Sequence, residues 1–208
     1  MRQRLSEMLQ TAATDALEQR VKPVEALADD AELVAAACHA MAIRFHRGGK
    51  LVCFGSGGPS TDAQHIAVEF VHPVIVGKRA LPAISLTGDV ATLTSIASRE
   101  GYAQVYAHQL RYLAAPEDIA LGVSVDGNDP AVLAGLEAAA ELGMLTIALV
   151  GGDGGETAAS ASVHHALVAR SDDPLVVKEV HVTAYHVLWE LVHVLFEQPG
   201  VLDPEVIR

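Results

Sequence analysis

The sequence predicts an α/β fold in which a doubly wound parallel sheet of five strands is flanked by helices. Five short apolar runs have the length of buried strands, and they lie at residues 50–54, 82–86, 118–124, 144–150 and 163–168. Segments with helical periodicity separate them, near residues 60–72, 89–97, 102–114, 130–142 and 173–197. Strands that alternate with helices in this way form a parallel sheet covered on both faces.

Two further helices are predicted before the first strand, at residues 3–18 and 30–46, with a break at Val21-Lys22-Pro23 between them. The first helix carries an apolar stripe at helical spacing, formed by Leu5, Met8, Leu9, Ala12, Ala16 and Leu17. We expect this stripe to pack either on the chain's own sheet or on a neighbouring subunit. Because no linker or repeat interrupts the pattern, residues 1–208 are predicted to form a single domain, with residues 1–48 as its N-terminal helices.

Composition excludes several classes of partner. The formal net charge of −12 would repel a phosphate backbone, which argues against direct nucleic-acid binding. Apolar runs of membrane-spanning length and a leader-type segment are both missing from the sequence pattern, so we expect a cytoplasmic protein without a membrane partner. Cys38 and Cys53 lie in apolar patterns and are expected to be buried, reduced thiols.

The most informative stretch is residues 55–70, where an apolar strand leads through glycines into an amphipathic helix. Glycines let a ligand approach the backbone closely, and a helix N-terminus favours an anion. One turn further on, His65 and Glu69 stand at i and i+4, on one face of the helix. This spacing suits a metal pair, an acid/base pair or a solvated surface pair.

Ligands of open parallel sheets bind beyond the carboxyl ends of the strands, where glycine-rich turns follow. Two more such turns are predicted, at residues 124–128 and 151–155. Three pieces are therefore expected to converge: the His65/Glu69 pair, the turn at Ser124, and the last helix with its polar residues Glu179, His181 and His186. The other helical histidines are expected at the surface or its boundary, namely His39, His46, His108 and His193.

The 55–70 stretch resembles the segment Gly-Asn-Gly-Gly-Ser-x-x-Asp-Ala-x-His-x-Ala-x-Glu of phosphoheptose isomerases, which belong to the SIS (sugar isomerase) domain superfamily. Further matches follow in the same order, at residues 86–89, 93–97, 101–102, 123–128, 151–155 and 178–186. The resemblance implies the SIS fold and the ketose/aldose isomerisation of sedoheptulose 7-phosphate. It also implies a homotetramer whose active sites take residues from neighbouring chains.

Site residues follow from this resemblance by position. It implies that Glu69 and His186 are the catalytic acid/base residues, and that His65, Glu69 and His186 bind a metal ion, for which zinc is the candidate. The fourth ligand of the family is a glutamine, and Lys178 stands in its place. A protonated Lys178 would oppose a dication, so the sequence predicts a site of at most three ligands, with His181 as an added candidate. Alternatively, Lys178 pairs with Glu69 or Asp126 and fills the metal's place.

The implied sugar-phosphate site departs from the family pattern in its charges. Its candidate residues are Ser56, Gly57, Gly58, Ser60, Arg99, Ser124, Asp126 and Asp129. Pro59 replaces a serine of the first turn, while Asp126 and Asp129 bring carboxylates to the turn that normally holds the phosphate. Two hypotheses follow: a sugar-phosphate isomerase with an altered phosphate site, or a non-catalytic SIS adaptor or regulator with a remodelled pocket.

Overall fold

The computed structural model describes residues 2–198 and 200–202 of the chain. Five parallel strands form one sheet in the order β2-β1-β3-β4-β5. They are β1 (Leu51–Gly55), β2 (Ala83–Ser85), β3 (Ile119–Ser124), β4 (Leu145–Gly151) and β5 (His165–Ala169). The predicted α/β class and all five predicted strands are confirmed.

Helices cover both faces of this sheet. They are α1 (Arg2–Asp29), α2 (Ala31–His46), α3 (Gly58–Val71), α4 (Val90–Glu100), α5 (Val105–Leu113), α6 (Pro130–Glu141), α7 (Gly155–Ala159) and α8 (Pro174–Phe196), with a 3-10 turn at Tyr102–Gln104 before α5. The short helix α7 was not predicted, because five residues are too few to show a helical period. No helix among the described residues is both long and apolar enough to cross a bilayer.

Alternate residues of each strand supply two separate cores. From β1, Leu51 and Cys53 join the core that α2, α3 and α8 cover, whereas Val52 and Phe54 join the core beneath α5 and α6. Cys38 and Cys53 are both buried and free, as predicted. Burial raises the pKa of both thiols, that of Cys38 to about 12, so both stay protonated at neutral pH.

The predicted helix break at Val21-Lys22-Pro23 is wrong, because α1 runs without interruption from Arg2 to Asp29 with Pro23 inside it. A proline removes one intrahelical bond, in this case the bond to the carbonyl of Gln19. Gln19 is exposed, so water can bind that carbonyl instead. Pro23 itself is buried, as is Leu27 one turn later, and this part of α1 contacts α8 and β5. Tertiary packing thus offsets the lost bond.

The sheet topology decides where a ligand can bind. The strand order reverses between β1 and β3, and in doubly wound sheets ligands bind at such a switch point, beyond the carboxyl ends of the strands. The turns after β1 and β3 flank this point. The turn after β3 is held by Gly127, whose φ is +73° and where a Cβ atom would lie 2.0 Å from the carbonyl oxygen of Gly154. Only glycine permits this close approach between the turn after β3 and the turn after β4.

Candidate functional site

Helices α3 and α8 bring His65, Glu69 and His186 together, and we call these three residues the triad. His65 Nε2 lies 3.1 Å from Glu69 Oε1, and His186 Nε2 lies 4.0 Å from the same oxygen. One ligand atom from each residue lies within 4.8 Å of the other two. The i,i+4 pair and the last helix therefore converge as expected within a single subunit, whereas the expected third piece, the turn at Ser124, lines a different cavity from the one that Glu69 and His186 face.

The triad has the chemistry of a small cation site. Two imidazole nitrogens and one carboxylate oxygen are the donor set of many three-ligand zinc sites that keep an open position. Its side chains are partly accessible: those of His65 and His186 are 44% and 47% exposed, and that of Glu69 is 14% exposed. Glu69 and His186 face a hollow of about 430 Å³. The residues thus fit a divalent cation and leave room for a ligand beside it.

Two side chains of α8 form hydrogen bonds to the two triad residues of α3. The hydroxyl of Tyr185 lies 2.6 Å from His65 Nδ1, and Trp189 Nε1 donates to the backbone carbonyl of Glu69 at 2.9 Å. Burial, followed by the charges of Asp62 and Glu69, raises the pKa of Tyr185 above its usual value. Its phenol is therefore neutral and has a proton to donate across the whole physiological range.

Lys178 does not pair with either of the two carboxylates proposed from the sequence. Its ammonium donates to Asp62 Oδ1 at 2.6 Å and to Thr61 Oγ1 at 3.0 Å, so it holds the start of α3 rather than Glu69 or Asp126. Asp62 is only 4% exposed, and a buried carboxylate needs a cationic or hydrogen-bonding partner. Lys178 neutralises this charge, and it is not part of the triad.

The added candidate ligand His181 also lies outside the triad. It is 2% exposed, and its Nε2 has no hydrogen-bond partner in the part of the chain that the structure describes. Burial lowers the pKa of His181 below its usual value, which favours the neutral imidazole. His181 lines a cavity of about 220 Å³ together with Asp62 and Lys178. It is therefore a neighbour of the triad on α8 rather than a member of it.

The first turn, residues 55–58, leaves little capacity for an anion. Gly57 precedes α3 with a φ of +66°, and Pro59 within the first helical turn has no N–H to donate. The hydroxyl of Ser60 donates back to the carbonyl of Gly57 at 2.6 Å. Ser56 Oγ is buried at this turn and makes no hydrogen bond of ordinary geometry to the described residues.

In the second turn, residues 124–129, carboxylate side chains of the turn bind the nearby backbone amides. Asp126 Oδ1 accepts the amide of Asn128 at 2.9 Å. Asp129 caps α6, because its Oδ1 accepts the amides of Ala131 and Val132 at 2.8 and 3.1 Å. Ser124 Oγ accepts the amide of Gly127 at 3.0 Å. Amides that could bind a phosphate at a helix N-terminus are thus already bonded to carboxylates.

The two turns face each other across one cavity of about 290 Å³. It is lined by Ser56, Pro59, Ser124, Val125, Asp126, Asn128, Asp129 and Pro130. Pro59 and Val125 also line the 220 Å³ cavity beside Lys178, so the two hollows share a wall. The structure therefore brings four of the eight predicted sugar-phosphate residues, Ser56, Ser124, Asp126 and Asp129, to one cavity at the switch point of the sheet, and Gly58 to the adjoining one.

Three residues singled out from the sequence lie elsewhere. Arg99 folds back along α4, where it donates to the backbone carbonyl and hydroxyl of Ser95. Glu179 forms an ion pair with Arg20 of α1, 2.6 Å apart. His193 is 2% exposed, so its expected surface position is wrong. Its two ring nitrogens lie 2.8 and 2.9 Å from the carbonyl oxygens of Trp189 and Arg79, either of which can accept its ring N–H inside the protein.

Sequence reasoning missed Asp62, Tyr185 and Trp189. Asp62 gave a signal, because an acidic residue stood among the apolar positions of α3 that face the core. Tyr185 and Trp189 gave none, because their partners His65 and Glu69 are each 120 residues away along the chain. Such contacts exist only once α8 has docked on α3.

Comparisons of the sequence and of the structure with known proteins point to the same family. The SIS domain profile matches residues 14–151. The phosphoheptose isomerase of Solidesulfovibrio magneticus is 43% identical over 85% of this chain and 85% of its own length. That of Aquifex aeolicus is 40% identical over 70% of this chain and 75% of its own. Among solved structures, a phosphoheptose isomerase from Francisella tularensis superposes with a TM-score of 0.82 at 29% identity, covering 88% of this chain and 97% of that one.

Replacement of Lys178 by methionine is expected to lower the free energy of unfolding by about 1 to 3 kcal/mol, because it leaves the buried Asp62 carboxylate without its cation. The partial exposure of Lys178 keeps the effect below that of a fully buried pair. Urea denaturation near pH 7 measures it. Lys78→Met is the matched control: its partner Glu197 is 57% exposed, so the loss should stay below about 1 kcal/mol. Equal losses in both variants would contradict the assigned role of Lys178.

Proposed function

Because the chain belongs to the phosphoheptose isomerase family of SIS domain proteins and is a sugar-phosphate isomerase-type protein, we propose that it interconverts a ketose phosphate and an aldose phosphate. Sedoheptulose 7-phosphate is the substrate that the family suggests. The observation that carries the proposal is the triad, in which one carboxylate and one imidazole, Glu69 and His186, face the same 430 Å³ hollow. Proton transfer between adjacent carbons needs a base and an acid placed in this way.

The proposed reaction moves one proton between two carbons. Glu69 accepts a proton from the carbon beside the carbonyl, while the carbonyl oxygen takes a proton from a protonated His186. The product of this half is an enediol. Glu69 then returns its proton to the neighbouring carbon, and the hydroxyl oxygen that becomes the new carbonyl gives its proton back to His186. Both residues end in their starting states, so the cycle is balanced.

We propose that the triad can hold a zinc ion through His65, Glu69 and a neutral His186. While His186 carries the proton, only His65 and Glu69 would hold the ion, because a protonated imidazole has no free lone pair. A bound zinc ion would polarise the carbonyl oxygen and stabilise the negative charge that develops there. Lys178 is not assigned as a ligand, because its ammonium is held by Asp62 and Thr61. A site with three protein ligands keeps one position open for substrate oxygen, which agrees with the donor set of the triad.

We further propose that the second turn weakens phosphate binding compared with a turn of serines and threonines. Asp126 and Asp129 line the cavity in which the phosphate would lie, so their carboxylates put negative charge there. They also occupy three backbone amides of the turn and of the start of α6. Two like charges about 4 Å apart repel by about 4 kcal/mol at an effective dielectric of 20. This observation also favours the second candidate function, a non-catalytic SIS adaptor or regulator with a remodelled pocket.

The oligomeric state is proposed to be a homotetramer. The first part of α1 is exposed in the isolated chain, and its apolar side chains Leu5, Met8, Leu9 and Leu17 are 52–67% exposed. Apolar residues in such a row are typical of a surface that another protein covers. A second copy of the same chain is the simplest cover, since most soluble oligomers are symmetric assemblies of one chain. Cytoplasmic location stays a prediction.

Glu69→Gln is expected to reduce turnover of sedoheptulose 7-phosphate by at least about 100-fold, because an amide cannot accept the carbon-bound proton. Exchange of the substrate's carbon-bound proton with deuterated solvent, followed by proton NMR with and without zinc, measures the step directly. Glu190→Gln is the matched control, since Glu190 faces the same hollow but lies outside the triad. Wild-type protein that binds sugar phosphates without exchanging this proton would favour the non-catalytic alternative.

Asp126→Asn is expected to tighten binding of a sugar phosphate by about tenfold, because it removes one negative charge and keeps an oxygen that can accept the Asn128 amide. Isothermal calorimetry gives the dissociation constant. Asp153→Asn in the third turn is matched in charge and in hydrogen bonding, since Asp153 Oδ1 accepts the amide of Gly155 at 3.0 Å. It should leave binding unchanged. A similar change in both variants would indicate only an effect of net charge.

Light scattering at micromolar concentration is expected to give four times the 21.8 kDa mass of the chain. Leu9→Glu should shift the protein to smaller species, because it puts a charge into the apolar stripe of α1. Leu113→Glu on α5 is the control: Leu113 is 52% exposed, close to the 57% of Leu9, and lies on another helix. A wild-type monomer, or equal dissociation by both variants, would exclude α1 as the interface.

A further inference from the structure

The triad has a fourth participant that is not a ligand. Tyr185 precedes His186 on α8, and its hydroxyl lies 2.6 Å from His65 Nδ1. The other ring nitrogen of His65, Nε2, lies 3.1 Å from Glu69 Oε1. Tyr185 is 1% exposed and belongs to the core cluster beneath α8. Its ring cannot turn away, so the hydroxyl is held against the imidazole by packing.

A histidine that binds a metal through one nitrogen uses the other N–H for a second partner, which sets the ring orientation and the tautomer. A phenol suits this task because it can donate and accept. When Nε2 carries the proton that faces Glu69, the Tyr185 hydroxyl donates to Nδ1. When Nε2 binds a cation, Nδ1 must carry the proton, and the same phenol oxygen accepts it.

The ring geometry adds a mechanical link. The rings of Tyr185, His65 and His186 are close to perpendicular to one another. The centroid distance and interplanar angle are 5.4 Å and 81° for His65 and Tyr185, 5.5 Å and 88° for His65 and His186, and 4.9 Å and 81° for Tyr185 and His186. Since Tyr185 and His186 are consecutive on α8, the hydroxyl ties the imidazole of α3 to the helix that carries the third ligand. One turn later Trp189 ties the backbone of Glu69 to the same helix.

We propose that Tyr185 is a positioning residue of the cation site: its hydroxyl fixes the orientation and tautomer of His65, so that Nε2 is presented beside Glu69 and His186. This inference rests on the metal-assisted function proposed above. Tyr185 itself does not bind the ion, and it acts through His65. Its loss should therefore weaken cation binding without a comparable loss of folding.

The test is the affinity for zinc alone, measured by competition with a chromophoric chelator. Tyr185→Phe keeps the buried ring and removes only the hydroxyl, and it is expected to weaken zinc binding 10- to 100-fold. Tyr106→Phe is the matched control. The Tyr106 hydroxyl also makes one buried hydrogen bond, to the carbonyl of Gly55 at 2.6 Å, but Tyr106 belongs to the core on the other face of the sheet. Zinc affinity should not change in this control.

A double-mutant cycle separates positioning from direct binding. In a His65→Gln background, Tyr185→Phe should change zinc affinity less than twofold, because the side chain through which it acts is gone. An undiminished effect there would overturn the inference. The inference would also be overturned if the Tyr185→Phe variant bound zinc as tightly as the wild-type protein does. This second result would leave the proposed function standing.

Wild-type protein gives an independent readout if a variant does not fold. In the zinc-loaded protein, nitrogen-15 NMR of His65 should show the proton on Nδ1 and the metal on Nε2. A proton on Nε2 in the loaded protein would overturn the inference. A wild-type chain that binds no zinc would overturn both the inference and the metal part of the proposed function, which distinguishes the two failures.

Discussion

The docking of α8 on α3 is the contact on which the site depends. Neither helix alone forms the triad, because α3 supplies His65 and Glu69 while α8 supplies His186. Three polar contacts along this junction hold its register: Lys178 with Asp62, Tyr185 with His65, and Trp189 with the carbonyl of Glu69. They follow one another along α8, so a shift of the helix by one turn would break all of them together.

These contacts also illustrate how charge is managed near the cleft. The buried carboxylate of Asp62 has Lys178 as its cation, and this frees the triad from a competing ammonium. In the adjoining cavity, Asp126 and Asp129 accept hydrogen bonds from backbone amides. The polar groups of the cleft are thus largely satisfied from within. Ser56 and His181 are the exceptions, each with a buried atom that makes no hydrogen bond of ordinary geometry to the described residues.

Much of this architecture could be predicted from the sequence, and the failures have physical causes. All five strands were predicted, because buried parallel strands are short apolar runs between glycine-rich turns. Local rules failed where tertiary packing overrode them. Pro23 is tolerated because α1 is supported by its neighbours, and His193 is buried where backbone carbonyl groups can accept its ring N–H. The His65/Glu69 spacing predicted a shared face, but the partner of Lys178 and the role of Tyr185 required the docked helices.

The uninterrupted course of α1 has a consequence for how its sequence can change. Pro23 and Leu27 are buried against the body of the protein, whereas Leu5 and Leu9 lie on the exposed part of the same helix. Since each residue of an α-helix advances by about 100° around its axis, a single inserted residue between these two parts would rotate the outer stripe by more than a quarter of a circle. Insertions or deletions of about seven residues, close to two full turns, would preserve its direction. Changes in the length of α1 that keep the stripe on the same side should therefore come in multiples of whole helical turns.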